Sequence, residues 1–273
     1  MRLGTKSVLI VVLAMVALVG ALHAFATRFI MRSFATHEAQ RARELGVHAR
    51  EVLAFEQRQF GESGEDWASW NDVIVYAHER NQAWEDENLT PLSFKMKSWT
   101  DLMIVRDDRS IAWARRLRAD QTLGPVHPQL EALIAQGKLS FPVAEERPIN
   151  GIVRLDSELY LVTSRPLQNP AGPTKQHGVL ISTQKIDGPW LERFKRITAL
   201  ELSFAEPGEL AAESPGERAL GAVDGIALYE PSADQVEIYV RMDDASGEAP
   251  LVAIVKAPRP LVRAARVVLA AVT

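Results

Sequence analysis

Between Asp66 and Leu89 the chain reads DWASWNDVIVYAHERNQAWEDENL, its densest run of groups able to do chemistry. Trp67, Trp70 and Trp84 are three of the six tryptophans, set among Asp66, Asn71, Asp72, Tyr76, Asn81 and Asn88. Asp66 and Asp72 are the nearest approach to an acid–base pair. On one helix, however, a spacing of six turns them about 240° apart, onto different faces. The composition suits recognition better, because a few polar groups set against aromatic surface can orient a ligand. Asp72 and Tyr76 share a helix face, and with Asn81 and Trp84 they are the candidate ligand-facing residues. Arg154 and Tyr160, on a later hairpin, are candidates for the same cavity. Trp67, Trp70, Ile74 and Ala77 recur at helical spacing and suit an apolar face packed on a sheet. Asp66 reads as the N-cap of that helix, with a ligand contact as the alternative.

Other chemistries lack their parts. The six histidines are scattered, without the paired spacing of a zinc helix. No nucleophile elbow, phosphate-binding loop or dinucleotide fingerprint occurs. The chain has no cysteine, which removes thiolate chemistry, cysteine metal sites and disulfides. No catalytic residue, metal site or cofactor is expected. A net charge of −4 argues against a nucleic-acid surface.

The elements that must position these residues start at the amino terminus. Ser7 to Thr27 is an uncharged run of 21 residues, against about 20 needed to span a bilayer as a helix. Residues 1–30 are therefore read as a transmembrane helix. Ala24-Phe25-Ala26 also fits a cleavage site, so a removed signal peptide is the alternative. From Phe34 to Phe60 the pattern is helical, with Ala42, Leu45, Ala49 and Val52 alternating at three and four. That seam suits either a stalk pairing with a second copy or a helix packed on its own domain. Gly61 and Gly64 are expected to end this helix, and Pro91 to close the segment that follows.

After Pro91 the period shortens. Leu102–Val105 and Ser110–Leu117 flank a turn at Arg106–Arg109, and Gly151–Leu155 and Leu159–Thr163 flank one at Asp156-Ser157. Pro128–Gln136 reads as a helix stopped by Gly137, Gly178–Ile186 as a strand, and Trp190–Ile197 as a helix. Loops are expected at Pro166–Pro173 and Glu206–Glu217. Further strands follow at Gly225–Tyr229, Gln235–Met242 and Leu251–Lys256. Strands joined by short turns imply an antiparallel sheet, so the class is α+β. Residues 259–273 resemble the opening turns of a second membrane helix; the alternative is an amphipathic helix lying on the domain. Residues 31–258 form the domain between.

The run D-W-A-S-W-N-D, continued by Asn81, Trp84 and Asn88-Leu89, resembles the CHASE domains of class four. The match lies at Asp66, Trp67, Ala68, Trp70, Asp72, Asn81, Asn88 and Leu89. Asn71 stands where the family has Asp, Ile74 where it has an aromatic, and Trp84 where it has Tyr. The resemblance implies a long helix packed on a PAS/Cache-like sheet, in an extracytoplasmic sensor of a bacterial receptor. It also implies a bulk in the periplasm, an inner-membrane anchor, a small-molecule or protein ligand, and no catalysis in these residues. Full-length relatives couple such sensors to cyclic-di-GMP enzymes or histidine kinases. A homodimer through the stalk would fit that arrangement.

Overall fold

One helix carries the molecule. In the computed structural model, which describes residues 3–139, 148–168, 177–205, 212–232, 234–247 and 250–270, helix α1 (Leu3–Ala68) runs unbroken for 66 residues. At 1.5 Å per residue it is about 99 Å long. Its first part is long and apolar enough to cross a membrane, and Ile10, Leu13, Val16, Leu18, Val19, Leu22 and Phe25 all point outward there.

Beyond that, α1 lies on two antiparallel sheets. Strands β1 (Asp101–Arg106), β2 (Ile111–Leu117), β3 (Leu123–Gly124), β4 (Ile149–Leu155), β5 (Glu158–Pro166) and β6 (Gly178–Lys185) form a six-stranded sheet in the order β3-β2-β1-β6-β5-β4. Strands β7 (Glu201–Phe204), β8 (Ile226–Tyr229), β9 (Gln235–Met242) and β10 (Leu251–Pro258) form a second sheet ordered β7-β10-β9-β8. The class is α+β as expected, but the sheet is double. The turn after β9 joins the two: the Ala245 amide donates to the Ile152 carbonyl at 2.9 Å.

The seam Ala42, Leu45, Ala49 and Val52 packs with Leu53 and Phe60 into the molecule's own core. Of the two readings of that seam, the structure shows the helix packed on its own domain. Gly61 and Gly64 do not end α1. Both are buried, and they sit where the helix crosses the six-stranded sheet. A Cβ on Gly61 would overlap the Arg165 guanidinium and the Asn150 carboxamide. Near the second sheet, a Cβ on Gly46 would lie 2.8 Å from Ile238 Cγ2. Gly61 and Gly46 let backbone approach side chains closely, and that gain outweighs their poor helix propensity.

The segment after α1 is three short helices rather than one: α2 (Asn71–His78), α3 (Gln82–Asn88) and α4 (Pro91–Lys97). Asp66 caps none of them. It lies inside α1 with its carboxylate 87% exposed, 3.9 Å from Lys97 Nζ. Trp70 holds the N-cap position of α2 without a side-chain bond. Pro91 opens α4 instead of closing the segment, with Thr90 accepting from the Ser93 amide as its cap.

Helix α5 (Pro128–Ala135) covers the face of the six-stranded sheet opposite α1, where Leu130, Leu133 and Ile134 meet Met103, Val153 and Val162. Helices α6 (Gly188–Thr198), α7 (Pro215–Gly221) and α8 (Pro260–Ala270) complete the described elements. Strand β7 and helix α7 were not expected, and α7 begins inside the expected loop at 206–217. The rest of that loop, and the 169–173 part of the loop at 166–173, lie mostly outside the described residues. So do residues 271–273 of the carboxyl-terminal segment.

Helix α8 starts against the stalk. Glu38 of α1 is 4% exposed, and its Oε1 accepts from the amides of Leu261 at 2.9 Å and Val262 at 3.3 Å. Its Oε2 accepts from Arg259 Nε at 3.1 Å, while Arg259 Nη1 also reaches Glu230 at 2.5 Å.

Candidate functional site

The expected site divides once its side chains are placed. Tyr76 is 2% exposed; its hydroxyl donates to Glu85 Oε2 at 2.5 Å. Arg80 Nε donates to the same oxygen at 3.2 Å, and Trp113 Nε1 donates to Glu85 Oε1 at 2.9 Å. Glu85 is thus the polar hub of the motif, binding α2 and α3 to β2, and sequence reasoning missed it. Around it pack the rings of Trp67, Trp70, Trp84 and Trp99. Trp67 stands 5.8, 6.4 and 5.2 Å from the other three, and Tyr76 lies 4.8 Å from Trp84.

Asn81 is a helix cap. Its Oδ1 accepts from the amides of Ala83 at 3.1 Å and Trp84 at 3.2 Å. Asn88 Nδ2 donates to the Trp84 carbonyl at 3.0 Å, and Leu89 is buried beside it. Asn71 and Asp72 are exposed on the first turn of α2. Most of the motif therefore fastens three short helices over the sheet.

Burial alone would raise the Glu85 carboxyl, but the hydrogen bonds from Tyr76, Arg80 and Trp113 and the Arg80 charge outweigh it and hold the group below its ordinary 4.5. Burial, then the bond to Glu85, pushes the Tyr76 phenol up. Since the folded carboxyl titrates below the unfolded one, its stabilisation is complete above about pH 4.5 and is lost as pH falls through the folded value. Glu85→Gln should therefore flatten the acid limb of a denaturation-midpoint-against-pH curve. An unchanged limb would show that the hub does not hold its charge.

A second polar network lies on the α5 face. Asp101 is fully buried and takes Arg116 in a fork, Nε at 2.7 Å and Nη2 at 2.9 Å, while Thr183 Oγ1 donates to it at 2.6 Å. The Arg116 guanidinium lies 5.3 Å from the centre of the Tyr160 ring. The Tyr160 hydroxyl donates to Glu158 at 2.7 Å, and Lys185 Nζ reaches Glu158 at 2.5 Å. Asp101→Asn keeps the shape but weakens the fork, and should cost about 2 kcal/mol in chemical denaturation.

Arg154 and Tyr160 do not share a cavity. Tyr160 packs with Val153 and Leu155 on the α5 face. Arg154 alternates to the side of Ile152, the α1 face, and Nη2 donates to the Ala205 carbonyl at 3.0 Å. Among the described residues, no cluster of three or more His, Asp or Glu is arranged to hold a metal ion.

Residues 52–205 match the family model of the CHASE4 domain, more than half of the chain. The chain belongs to the CHASE4 family. Among solved structures, the extracellular domain of vpHK1S-Z8, named as a histidine kinase, aligns at 11% identity and a TM-score of 0.50, over 84% of this chain and 96% of that one. The periplasmic domain of Vibrio cholerae LuxQ aligns at 13% identity and a TM-score of 0.50, over 80% and 99%. These likenesses are in fold. Among curated proteins no relative was found. The CHASE4 motif and its Glu85 hub thus sit in a sensor-type fold of long helix and PAS/Cache-like sheets.

Proposed function

We propose that this CHASE4 domain is the extracytoplasmic input domain of a membrane-anchored receptor and has no catalysis of its own. The observation that carries the reading is α1. It passes without a break from an apolar, membrane-length segment into the core of both sheets, so whatever shifts the sheets also moves the segment. Helix α8 returns along α1 from Glu38, and it is the natural opening of a second membrane helix. In this reading the sheets lie in the periplasm of a bacterial cell, and the output is a cyclic-di-GMP enzyme or histidine kinase. Occupancy acts by favouring one of two α1–α8 arrangements, to the extent that the ligand's affinity for the two differs. A ligand at the motif would meet Asp72 and the half-buried Trp84, because the Tyr76 hydroxyl and Asn81 Oδ1 are engaged.

Reporter fusions test the topology. Alkaline phosphatase joined after Pro258 should be active in intact cells. Inactivity there, with activity of a cytoplasmic reporter at the same position, would overturn the reading. A protein partner is the second reading, favoured by Leu92 and Met96, 64% and 77% exposed on α4. Leu92→Ser with Met96→Ser should abolish signalling only if that reading holds.

A further inference from the structure

Two open clefts of about 440 and 380 Å³ share a wall made by Ser98, Gln184 and Arg193, giving one groove between α1, α4, the end of β6 and α6. Each cleft is within the size range of small-molecule sites. Five cations line the groove: Lys95 and Lys97 from α4, Lys185 from β6, and Arg193 and Arg196 from α6. Two carboxylates, Glu56 and Asp187, oppose them. Asp187 is engaged as the cap of α6, accepting from the Trp190 amide at 3.0 Å. Glu56 holds Arg193 at 2.9 Å, Glu158 holds Lys185 at 2.5 Å, and Lys97 reaches Asp66 only at 3.9 Å. Among the described residues, Lys95 and Arg196 make no side-chain hydrogen bond or ion pair, and neither do the Ser98 hydroxyl and Gln184 carboxamide on the shared wall. The chain as a whole is acidic, with net charge −4, so this positive charge is a local concentration.

The floor is aromatic. Trp99 and Trp190 both line the groove, at 2% and 4% exposure, and the indole Nε1 of each is buried without an acceptor. Buried donors ordinarily find a partner. Here they lie in the same wall as unspent cations, whose strongest bonds are to anionic acceptors.

We propose that this groove binds a small organic anion, a carboxylate or phosphate ester whose apolar body lies against Trp99 and Trp190. A phospholipid headgroup carries the same chemistry. Glu56, however, lies 29 residues along α1 from Thr27, about 43 Å from the end of the apolar segment. The bilayer is therefore out of reach, and the occupant is soluble. This proposal rests on the receptor reading above; the reporter fusions test that reading, and anion binding is measured independently of them.

The test uses the full chain in phosphatidylcholine nanodiscs, titrated with citrate, inorganic pyrophosphate and indole-3-acetate while the unfolding midpoint and tryptophan fluorescence are followed. The expected result is a saturable rise in midpoint with at least one anion, absent with glycerol and with sodium chloride at matched ionic strength. Lys95→Gln with Arg196→Gln, both exposed positions, should leave the anion-free midpoint within about a degree and weaken binding about tenfold or more. No saturable response to any of the three anions overturns the proposal, as does a response that the double substitution leaves unchanged.

Discussion

Replacing Gly61 with leucine is expected to cost more than about 4 kcal/mol of stability, the range reserved for buried clashes and broken polar networks. The added Cβ would fall on the Arg165 guanidinium and the Asn150 carboxamide. An exposed arginine would swing aside, but Arg165 is 4% exposed. Its Nη2 donates to Asn150 Oδ1 at 2.6 Å, and its Nη1 donates to the carbonyls of Ile149 and Ser164, each at 3.2 Å. Among the described residues Arg165 has no ion pair, and burial, against the opposing fields of Glu65 and Glu62, pushes its pKa below that of an ordinary arginine. Those bonds are what make a buried guanidinium tolerable, so displacing it would strand a charge. Either α1 lifts from the sheet or the network breaks. Gly221→Ala, at the exposed end of α7, where an added Cβ meets nothing within 4 Å, is the control and should change stability by no more than about 1 kcal/mol. If Gly61→Leu unfolds within 1 kcal/mol of the unsubstituted chain in urea, by the scale of ordinary substitutions, α1 is not seated as described.

Glu38→Ala should be nearly as severe, at about 3–5 kcal/mol, because it breaks a buried ion pair from one side. The change removes the acceptor for the amides of Leu261 and Val262 and leaves Arg259, 7% exposed, with Glu230 alone. Glu38→Gln keeps an acceptor for those amides and should cost about 1–2 kcal/mol. The two amides provide a local readout. Their hydrogen exchange should accelerate in the alanine variant and stay close to normal in the glutamine one. Equal protection in all three proteins would mean that α8 is held by something other than Glu38.

The hairpins at Leu102–Leu117 and Gly151–Thr163 were legible because alternation and turn chemistry agree there, and β1, β2, β4 and β5 form at those places. The motif was legible as a family mark, yet most of its polar members proved to be structural. Asn81 has the residue type of an N-cap and serves as one. Thr90-Pro91 carries the signature of a helix start, a capping hydroxyl followed by proline at the first turn, although the proline taken alone reads as an end. Gly61 misled for a tertiary reason: only the neighbouring sheet shows that the helix needs the missing Cβ there more than it needs propensity. Glu85 is a hub only once the fold forms: Tyr76 and Arg80 are near it in sequence, but Trp113 arrives from 28 residues further on. The groove at Ser98, Gln184 and Arg193 is equally non-local, assembled from α4, β6 and α6.

Because α1 has no joint between its two sheet contacts and its apolar end, it behaves as a lever with fixed arms. Gly61 and Thr27 are 34 residues apart on that rod, an arm of about 51 Å. A tilt of about two degrees at the sheet would sweep the far end sideways by about 2 Å, with no hinge between to absorb it. Small rearrangements around Arg165 would thus arrive at the apolar end of α1 enlarged.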